Sequence, residues 1–343
     1  DCFQSGATLK ADFRRRQLEA LRRALKAREP QLLEALRTDL GKASFEGYAT
    51  ELGMVYEEIA LALKSLRRWM RDRRVPTPIS QFPASSRVHY EPFGTALIIA
   101  PWNYPVQLSL SPLVGALAAG NTALVKPSEY APAVAKALEA VIEDMASPAV
   151  ACLQGGREET QALLKQPFDM IFFTGSVAVG KAVMAAAAGN LTPVVLELGG
   201  KSPCILAPDA DLPLAARRIA WGKWLNAGQT CVAPDYVLCP REKVEETAER
   251  LRQAAGRQFG PQPLVCGDYS RIINDKHFDR LTQLIEASDV IWGGESDRER
   301  LRISPTLISA GWDSPVMEEE IFGPLLPIVA YDRLEEALDQ VRR

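Results

Sequence analysis

The sequence predicts an α/β protein: a doubly wound parallel sheet, a second α/β domain after it, and a bridging β-hairpin or extended arm that precedes the sheet in the chain. Three observations carry this. From residue 94 onward, strand patterns alternate with helical ones, four strand–helix units in succession. The strands are short and almost continuously apolar, as strands covered on both faces must be. The polar and glycine-bearing positions Asn103, Lys126, Gly155, Gly175 and Glu197 fall where those strands end, and open α/β sheets bind ligands at the carboxyl ends of their strands.

Residues 11 to about 72 read as helices. The basic run "FRRRQLEALRRALK" sets Phe13, Leu18, Leu21 and Leu25 at helical spacing. Its arginines are read as a solvated helix face rather than a nucleic-acid arm. The proline-rich segment "RDRRVPTPISQFPASSRVHYEPFG" breaks the helical pattern and predicts the arm. Then follow the strand "GTALIIA", a helix from Gln107 to Ala119, the strand "NTALVKP", the helix "APAVAKALEAVIEDM", the strand "AVACLQGG", the helix "REETQALLKQ", the strand "FDMIFFTG", the helix "SVAVGKAVMAAAA" and the strand "TPVVLELGG". A boundary is expected near Glu197–Lys201. Beyond it come "KSPCILA", the helix "DLPLAARRIAWGKWLNAGQTC", "DYVLCP", "EKVEETAERLRQAA" and "VIWGG", a second region built from strands and helices.

Length and composition bound the rest. The 343 residues suggest about two domains. With 47% hydrophobic and 24% charged residues the chain is an ordinary globular one, and a net charge of −3 supplies no field for nucleic acid or an anionic membrane. No stretch of about 18 apolar residues predicts a membrane span. Six scattered cysteines without a C-x-x-C predict reduced thiols in a cytoplasmic protein. The chain starts at Asp1 rather than Met, which predicts an excerpt or a processed form. Only His89 and His277 are present, and neither has zinc spacing or a triad context. No metal is expected, and any general base is expected to be a carboxylate or a lysine.

"FTGSVAVGKA" has the glycine and lysine spacing of a triphosphate loop, but Ala182 stands where a magnesium-binding hydroxyl belongs. The spacing of the ordinary dinucleotide fingerprint is missing too. What remains is Gly175 permitting a turn and Ser176 opening a helix whose N–H groups favour an anion. The segment alone leaves a structural corner and a pyrophosphate turn equally open.

Three further residues stand in chemically suggestive places. Cys231 closes "LNAGQTC", Glu197 ends a strand in "LELGGKSP", and Asn103 lies between aromatics in "APWNYP". Singly, each has a plain structural explanation: a small buried thiol, a turn carboxylate, a turn amide. Together with "KPSE", "FTGS" and "EEIFGP", in that order along the chain, they resemble the NAD(P)-dependent aldehyde dehydrogenase superfamily. Tyr104 of "PWNYP", the extension "GQTCVAPDY" and the short N-terminal lead resemble its class 3 branch. The similarity runs from about residue 10 to 343.

The resemblance implies roles. Cys231 is the nucleophile, Asn103 an oxyanion donor with the Cys231 N–H, and Glu197 the base that activates water. Lys126 and Glu129 meet the adenosine ribose, Gly175 and Ser176 the pyrophosphate, Glu320 and Phe322 the nicotinamide end. Tyr104 and Trp224 are expected on the substrate tunnel. The cofactor is NAD or NADP and the substrate a medium- or long-chain aliphatic, or an aromatic, aldehyde. Residues 1–75 and 94–198 form the dinucleotide-binding domain, 76–93 the bridging arm, and 199–343 the catalytic domain. The family pattern continues well past Arg343, so the catalytic domain is expected to be C-terminally incomplete. A homodimer is expected where the full C-terminal part is present.

Three other readings compete. An ATPase requires the hydroxyl that Ala182 lacks. A non-catalytic nucleotide-binding fragment fits the short C-terminus but not the retention of Cys231, Glu197 and Asn103 together. An acyl-transferring relative has no need of the base that Glu197 supplies.

Overall fold

A computed structural model describes residues 2–342. The chain divides into two compact units. One takes in the chain up to Ala35 together with Phe45–Glu197; the other takes in Leu36–Ser44 and the chain from Leu198 onward.

The first unit takes in helix α1 (Ala11–Leu40) up to Ala35, the short α2 (Ser44–Gly47) from Phe45, a π-helical turn at Tyr48–Leu52, and α3 (Gly53–Trp69). Leu18, Leu21, Leu25 and Leu32 of α1 are fully buried, the apolar stripe that helical spacing predicts. One arginine departs from the expected solvated face. Arg14 is buried, with Nε donating to Thr8 O at 2.7 Å and Nη1 to Ala118 O at 3.1 Å. Of these, Ala118 O lies at the C-terminus of another helix, where a cation is favoured.

Strands β1 (Arg73–Val75) and β2 (Ser86–Val88) pair antiparallel, so the proline-rich segment is a hairpin with its first strand ahead of residue 76. The main sheet follows: β3 (Thr95–Ile99), α4 (Gln107–Ala119), β4 (Thr122–Lys126), α5 (Pro132–Asp144), β5 (Val150–Cys152), α6 (Arg157–Leu163), β6 (Met170–Gly175), α7 (Val177–Ala188) and β7 (Val194–Leu198). The order is β5-β4-β3-β6-β7. Parallel pairing joins β3 to both β4 and β6, with Ile99 opposite Lys126 on one side and Phe173 on the other. The chain winds outward from β3 to β5, then returns to lay β6 against β3. The order therefore reverses between β3 and β6, and the crevice beyond the carboxyl ends of those two strands is where such sheets bind ligands.

The second unit holds β8 (Pro203–Ile205), α8 (Leu212–Trp224), β9 (Tyr236–Pro240), α9 (Val244–Phe259), α10 (Asp275–Glu286), β10 (Asp289–Trp292), the small pair β11 (Ser296–Asp297) and β12 (Arg302–Ile303), β13 (Thr306–Ala310), β14 (Leu325–Tyr331) and α11 (Leu334–Val341). Its sheet order is β10-β13-β14-β9-β8. The four strands β8, β9, β14 and β13 run parallel, and β10 is an antiparallel edge. Trp224, Leu251, Phe278, Leu281, Leu307 and Leu326 belong to its core. Segment Leu36–Ser44 is tied to this unit by Arg271, whose Nε and Nη2 donate to Asp39 O and Thr38 O at 3.0 and 2.8 Å. Among the described residues no helix is long and apolar enough to cross a membrane.

Candidate active site

In the first unit, Asn103, Lys126, Gly175, Ser176 and Glu197 all fall at the carboxyl edge of one sheet. Asn103 and Tyr104 lie on the loop between β3 and α4, and both are buried. That loop is fixed at its two ends. Ala100 N–H donates to Lys126 O at 3.1 Å, and Glu51, fully buried in the π-helical turn, accepts from Val106 N–H at 2.7 Å and Gln107 N–H at 3.2 Å. A carboxylate on the free N–H groups of a helix start is a strong, charge-assisted cap. The choice of Glu51 gave no sequence signal, because the turn that presents it is not a regular helix.

Lys126 ends β4. It is 2% exposed, and its Nζ donates to Pro127 O at 3.1 Å and Glu129 Oε2 at 3.3 Å. Gly175 ends β6 without a positive φ. The demand there is for space: a side chain at 175 would run into the Phe173 ring. Ser176 is the N-cap of α7, its Oγ accepting from Val179 N–H at 3.4 Å. Lys181 and Ala182 are both exposed. A buried hydroxyl, Thr174 Oγ1, has no hydrogen-bond partner among the described residues. The free N–H groups of α7 and an unspent hydroxyl suit the pyrophosphate of a dinucleotide. Glu197, on β7 at the sheet edge, is exposed.

In the second unit the chemistry-bearing segments are held by each other. Helix α8 ends at Trp224, and after Leu225 the residues Asn226, Ala227 and Gly228 follow with φ of 52, 51 and 75°. Three consecutive left-handed residues are costly for side chains with a Cβ and persist only when their surroundings fix them. A Cβ at Gly228 would strike the backbone carbonyl of Gly323, so the segments "NAGQTC" and "EEIFGP" touch main chain to main chain. Gln229 is fully buried and fastens the loop, with Nε2 donating to Arg271 O at 2.9 Å and Oε1 accepting from Ile273 N–H at 3.0 Å. Cys231, two residues further on, is half-buried. By contrast, burial pushes the thiols of Cys152, Cys204 and Cys239 up, that of Cys152 to about 12, so those three stay protonated at neutral pH.

The turn at Glu320–Phe322 is clamped on each side. Asp235 Oδ1 accepts from Ile321 N–H at 3.0 Å, and Arg280 Nη2 donates to Ile321 O at 2.6 Å. Lys201 Nζ bridges Asp235 Oδ2, Val316 O and Glu319 O at 2.5, 2.7 and 2.9 Å. Phe322 sits at φ 48°, strain that this clamp holds in place. Burial raises the Glu320 carboxyl above its ordinary range, partly offset by the Gly200 N–H it accepts. Trp224 is not on an open wall: it is 1% exposed, donates its indole N–H to Pro324 O at 2.9 Å, and packs edge-on against Trp292. The expectation of a tunnel residue is corrected to that of a core residue, because a large aromatic at the end of α8 fills the space under the turn. The clamping residues Lys201, Asp235, Arg280 and Gln229 were not singled out from the sequence. Three of them stand inside the quoted motifs, and Arg280 gave no signal.

A model described as Aldehyde dehydrogenase family matches residues 2–341. The chain is 46% identical over 340 residues to 4,4'-diaponeurosporen-aldehyde dehydrogenase of Staphylococcus aureus, covering 98% of this chain and 74% of that protein. It is 47% identical to aldehyde dehydrogenase family 3 member B1 of Homo sapiens, with 100% and 74% covered. Among solved structures, the substrate-bound state of Staphylococcus aureus AldH superposes with a TM-score of 0.96 at 45% identity, over 99% of this chain and 75% of that one. Mycobacterium tuberculosis aldehyde dehydrogenase complexed with NAD+ gives a TM-score of 0.86 at 28% identity, over 95% and 70%.

Proposed function

The chain belongs to the aldehyde dehydrogenase family, on its class 3-like branch, an enzyme that oxidises an aldehyde with NAD or NADP, and from that premise we propose the mechanism. The Cys231 thiolate adds to the aldehyde carbon and forms a thiohemiacetal. The side-chain amide of Asn103 and the N–H of Cys231 stabilise the oxyanion that develops. When bound, NAD or NADP supplies the acceptor for the hydride whose loss turns the thiohemiacetal into a thioester. Glu197 takes a proton from water, the water oxygen attacks the thioester carbon, and the acid leaves as Cys231 recovers its thiolate. Gly175 and Ser176 hold the pyrophosphate, Lys126 and Glu129 the adenosine ribose, and Glu320 and Phe322 the nicotinamide end.

The observation that carries this reading is the fixing of the Cys231 loop in the second unit. Buried Gln229 and the close approach of Gly228 to Gly323 hold a run of left-handed residues that ends three positions before the cysteine. Strain maintained at such a place is characteristic of functional sites. The proposed labels are residues 1–75 and 94–198 for the dinucleotide-binding part, 76–93 for the arm and 199–343 for the catalytic part; the compact units differ from them in that Leu36–Ser44 groups with the second unit and the arm with the first. Medium- and long-chain aliphatic or aromatic aldehydes are the proposed substrates, supported by the relative whose name gives 4,4'-diaponeurosporen-aldehyde. The buried Tyr104 supplies an aromatic wall for them. We place the protein in the cytoplasm as a homodimer. Six cysteines without a disulfide support the compartment, and the β1–β2 hairpin with Ile79 and Phe82 exposed supports the assembly.

The test is aldehyde-dependent formation of NADH or NADPH across a chain-length and aromatic panel. Cys231→Ala is expected to abolish it, and full activity in that variant would sink the assignment. Glu197→Gln is expected to keep one rapid round of hydride transfer and lose turnover. Unchanged turnover would point to an acyl acceptor other than water.

A further inference from the structure

Lys223, on the last turn of α8, is fully buried, yet its Nζ has no hydrogen-bond partner among the described residues. A buried ammonium ion without a partner is costly, so a lysine kept there has a use for its charge or its proton. The charged groups that act on it are Asp235, Lys201 and Glu320. Arg280, from α10, faces Asp235, Glu319 and Glu320 in the same cluster.

The hydrogen-bonding capacity of most of that cluster is already spent. Asp235 gives Oδ1 to Ile321 N–H and Oδ2 to Lys201. Lys201 gives its three protons to Asp235, Val316 O and Glu319 O. Arg280 donates to Ile321 O. Among the described residues only the Gly200 N–H acts on the Glu320 carboxylate from the backbone, and a carboxylate can accept about four hydrogen bonds. Arg280 keeps further N–H groups, but Lys223 is the fully buried cation of this cluster and makes no hydrogen bond among the described residues, and Glu320 is its half-buried carboxylate with acceptor capacity left.

We propose that Lys223 is a positioning residue for Glu320, its ammonium ion keeping that carboxylate ionised and oriented to accept the ribose hydroxyls at the nicotinamide end of the cofactor. The inference rests on the reading of Glu320 as the ribose ligand. A hydroxyl bonds an ionised carboxylate more strongly than a neutral acid, and burial drives Glu320 toward the neutral acid. A neighbouring cation opposes that drift. Burial also pushes the Lys223 amine down to about 8. Below that pH the ammonium is present; above it the amine is neutral and Glu320 loses its counter-charge.

The experiment measures KM for NAD and for NADP, and kcat, from about pH 6 to about pH 10. The proteins are wild type, Lys223→Met, Lys223→Arg, Glu320→Gln and the Met/Gln double variant. In the wild type, cofactor KM is expected to rise as pH passes through about 8. Lys223→Met is expected to raise it about tenfold already at neutral pH, more than it lowers kcat, and to remove the step. Lys223→Arg, a cation that does not titrate there, is expected to restore much of the affinity without the step. The double variant is expected to match Glu320→Gln alone.

A step that survives in Lys223→Met, or effects that multiply in the double variant, would overturn the inference. If Lys223→Met fails to fold, a step that persists in Lys223→Arg overturns it equally. If Glu320→Gln raises KM and Lys223→Met does not, the role of Lys223 falls alone. If Glu320→Gln leaves KM unchanged, the reading of Glu320 falls and takes this inference with it.

Discussion

The two units carry their motif residues by different physical means. In the first, the position of each residue follows from where a strand stops: Asn103 after β3, Lys126 at the end of β4, Gly175 at the end of β6, Glu197 on β7. The sheet ladder does most of the positioning, and few side chains are needed, Glu51 being the main one. In the second unit the motif residues stand on loops, three of them at consecutive left-handed φ. No ladder fixes such backbone. A partly buried ionic cluster, Lys201, Asp235 and Arg280, holds the Ile321 turn instead, and buried Gln229 with the close Gly228–Gly323 approach holds the left-handed run. With the proposed roles, a dinucleotide would use a rigid edge with free N–H groups and a nucleophile one unusual loop held still, and the two solutions would answer those two demands.

The largest effect that sharpens this contrast is expected from Lys201→Met. It leaves Asp235, 5% exposed at its side chain, without its ion-pair partner, and stranding a buried carboxylate costs about 3 kcal/mol. Urea unfolding should show that loss together with falling activity; a change near zero would mean the cluster does not hold the turn. Gly228→Ala is expected next, at about 2 kcal/mol for a Cβ at positive φ against the Gly323 carbonyl. Its counterpart Gly175→Ala meets only the Phe173 ring, which can turn. The comparison breaks if the two alanine variants unfold at the same urea concentration. Glu51→Gln keeps the shape of the α4 cap but removes its charge, for about 1 kcal/mol; its activity should fall through the Asn103 loop, read as a lower kcat with little change in cofactor KM. Ser176→Ala, which removes a long 3.4 Å cap, should cost least, about 0.5 kcal/mol.

One pH dependence is placed in the second unit by a half-buried histidine. Burial lowers the His277 imidazole from 6.5 to about 4, so it is neutral in the folded protein at neutral pH. As pH falls through 6.5 the unfolded chain takes up a proton that the folded one refuses until about 4. Stability is therefore lost across that window. His277→Gln should flatten the fall of the urea midpoint there, and an unchanged slope would count against it.

Much of the first unit was legible because its elements are repetitive. Apolar runs of strand length, the Gln107–Ala119 helix, Ser176 as an N-cap and Pro132 at the first position of α5 are local signals with local causes. The second unit was less so. Trp224 looked like a tunnel aromatic because its sequence neighbourhood gives no hint that Pro324, a hundred residues on, accepts its indole N–H. Arg14 looked like one more solvated arginine of a basic run, yet Ala118 O draws it inside. Gly175 was read as a glycine of backbone freedom, and it is a glycine of space.

The sequence by itself determined the family, the alternation of strands and helices, and the motifs bearing Asn103, Glu197 and Cys231, because these depend on short-range pattern and on residue identity. Only the tertiary structure decided that Lys201, Asp235 and Arg280 clamp the Ile321 turn and that Lys223 is buried beside them with its protons unspent. A buried charge has meaning only through the partners that folding gives it, and those partners come from segments far apart in the chain.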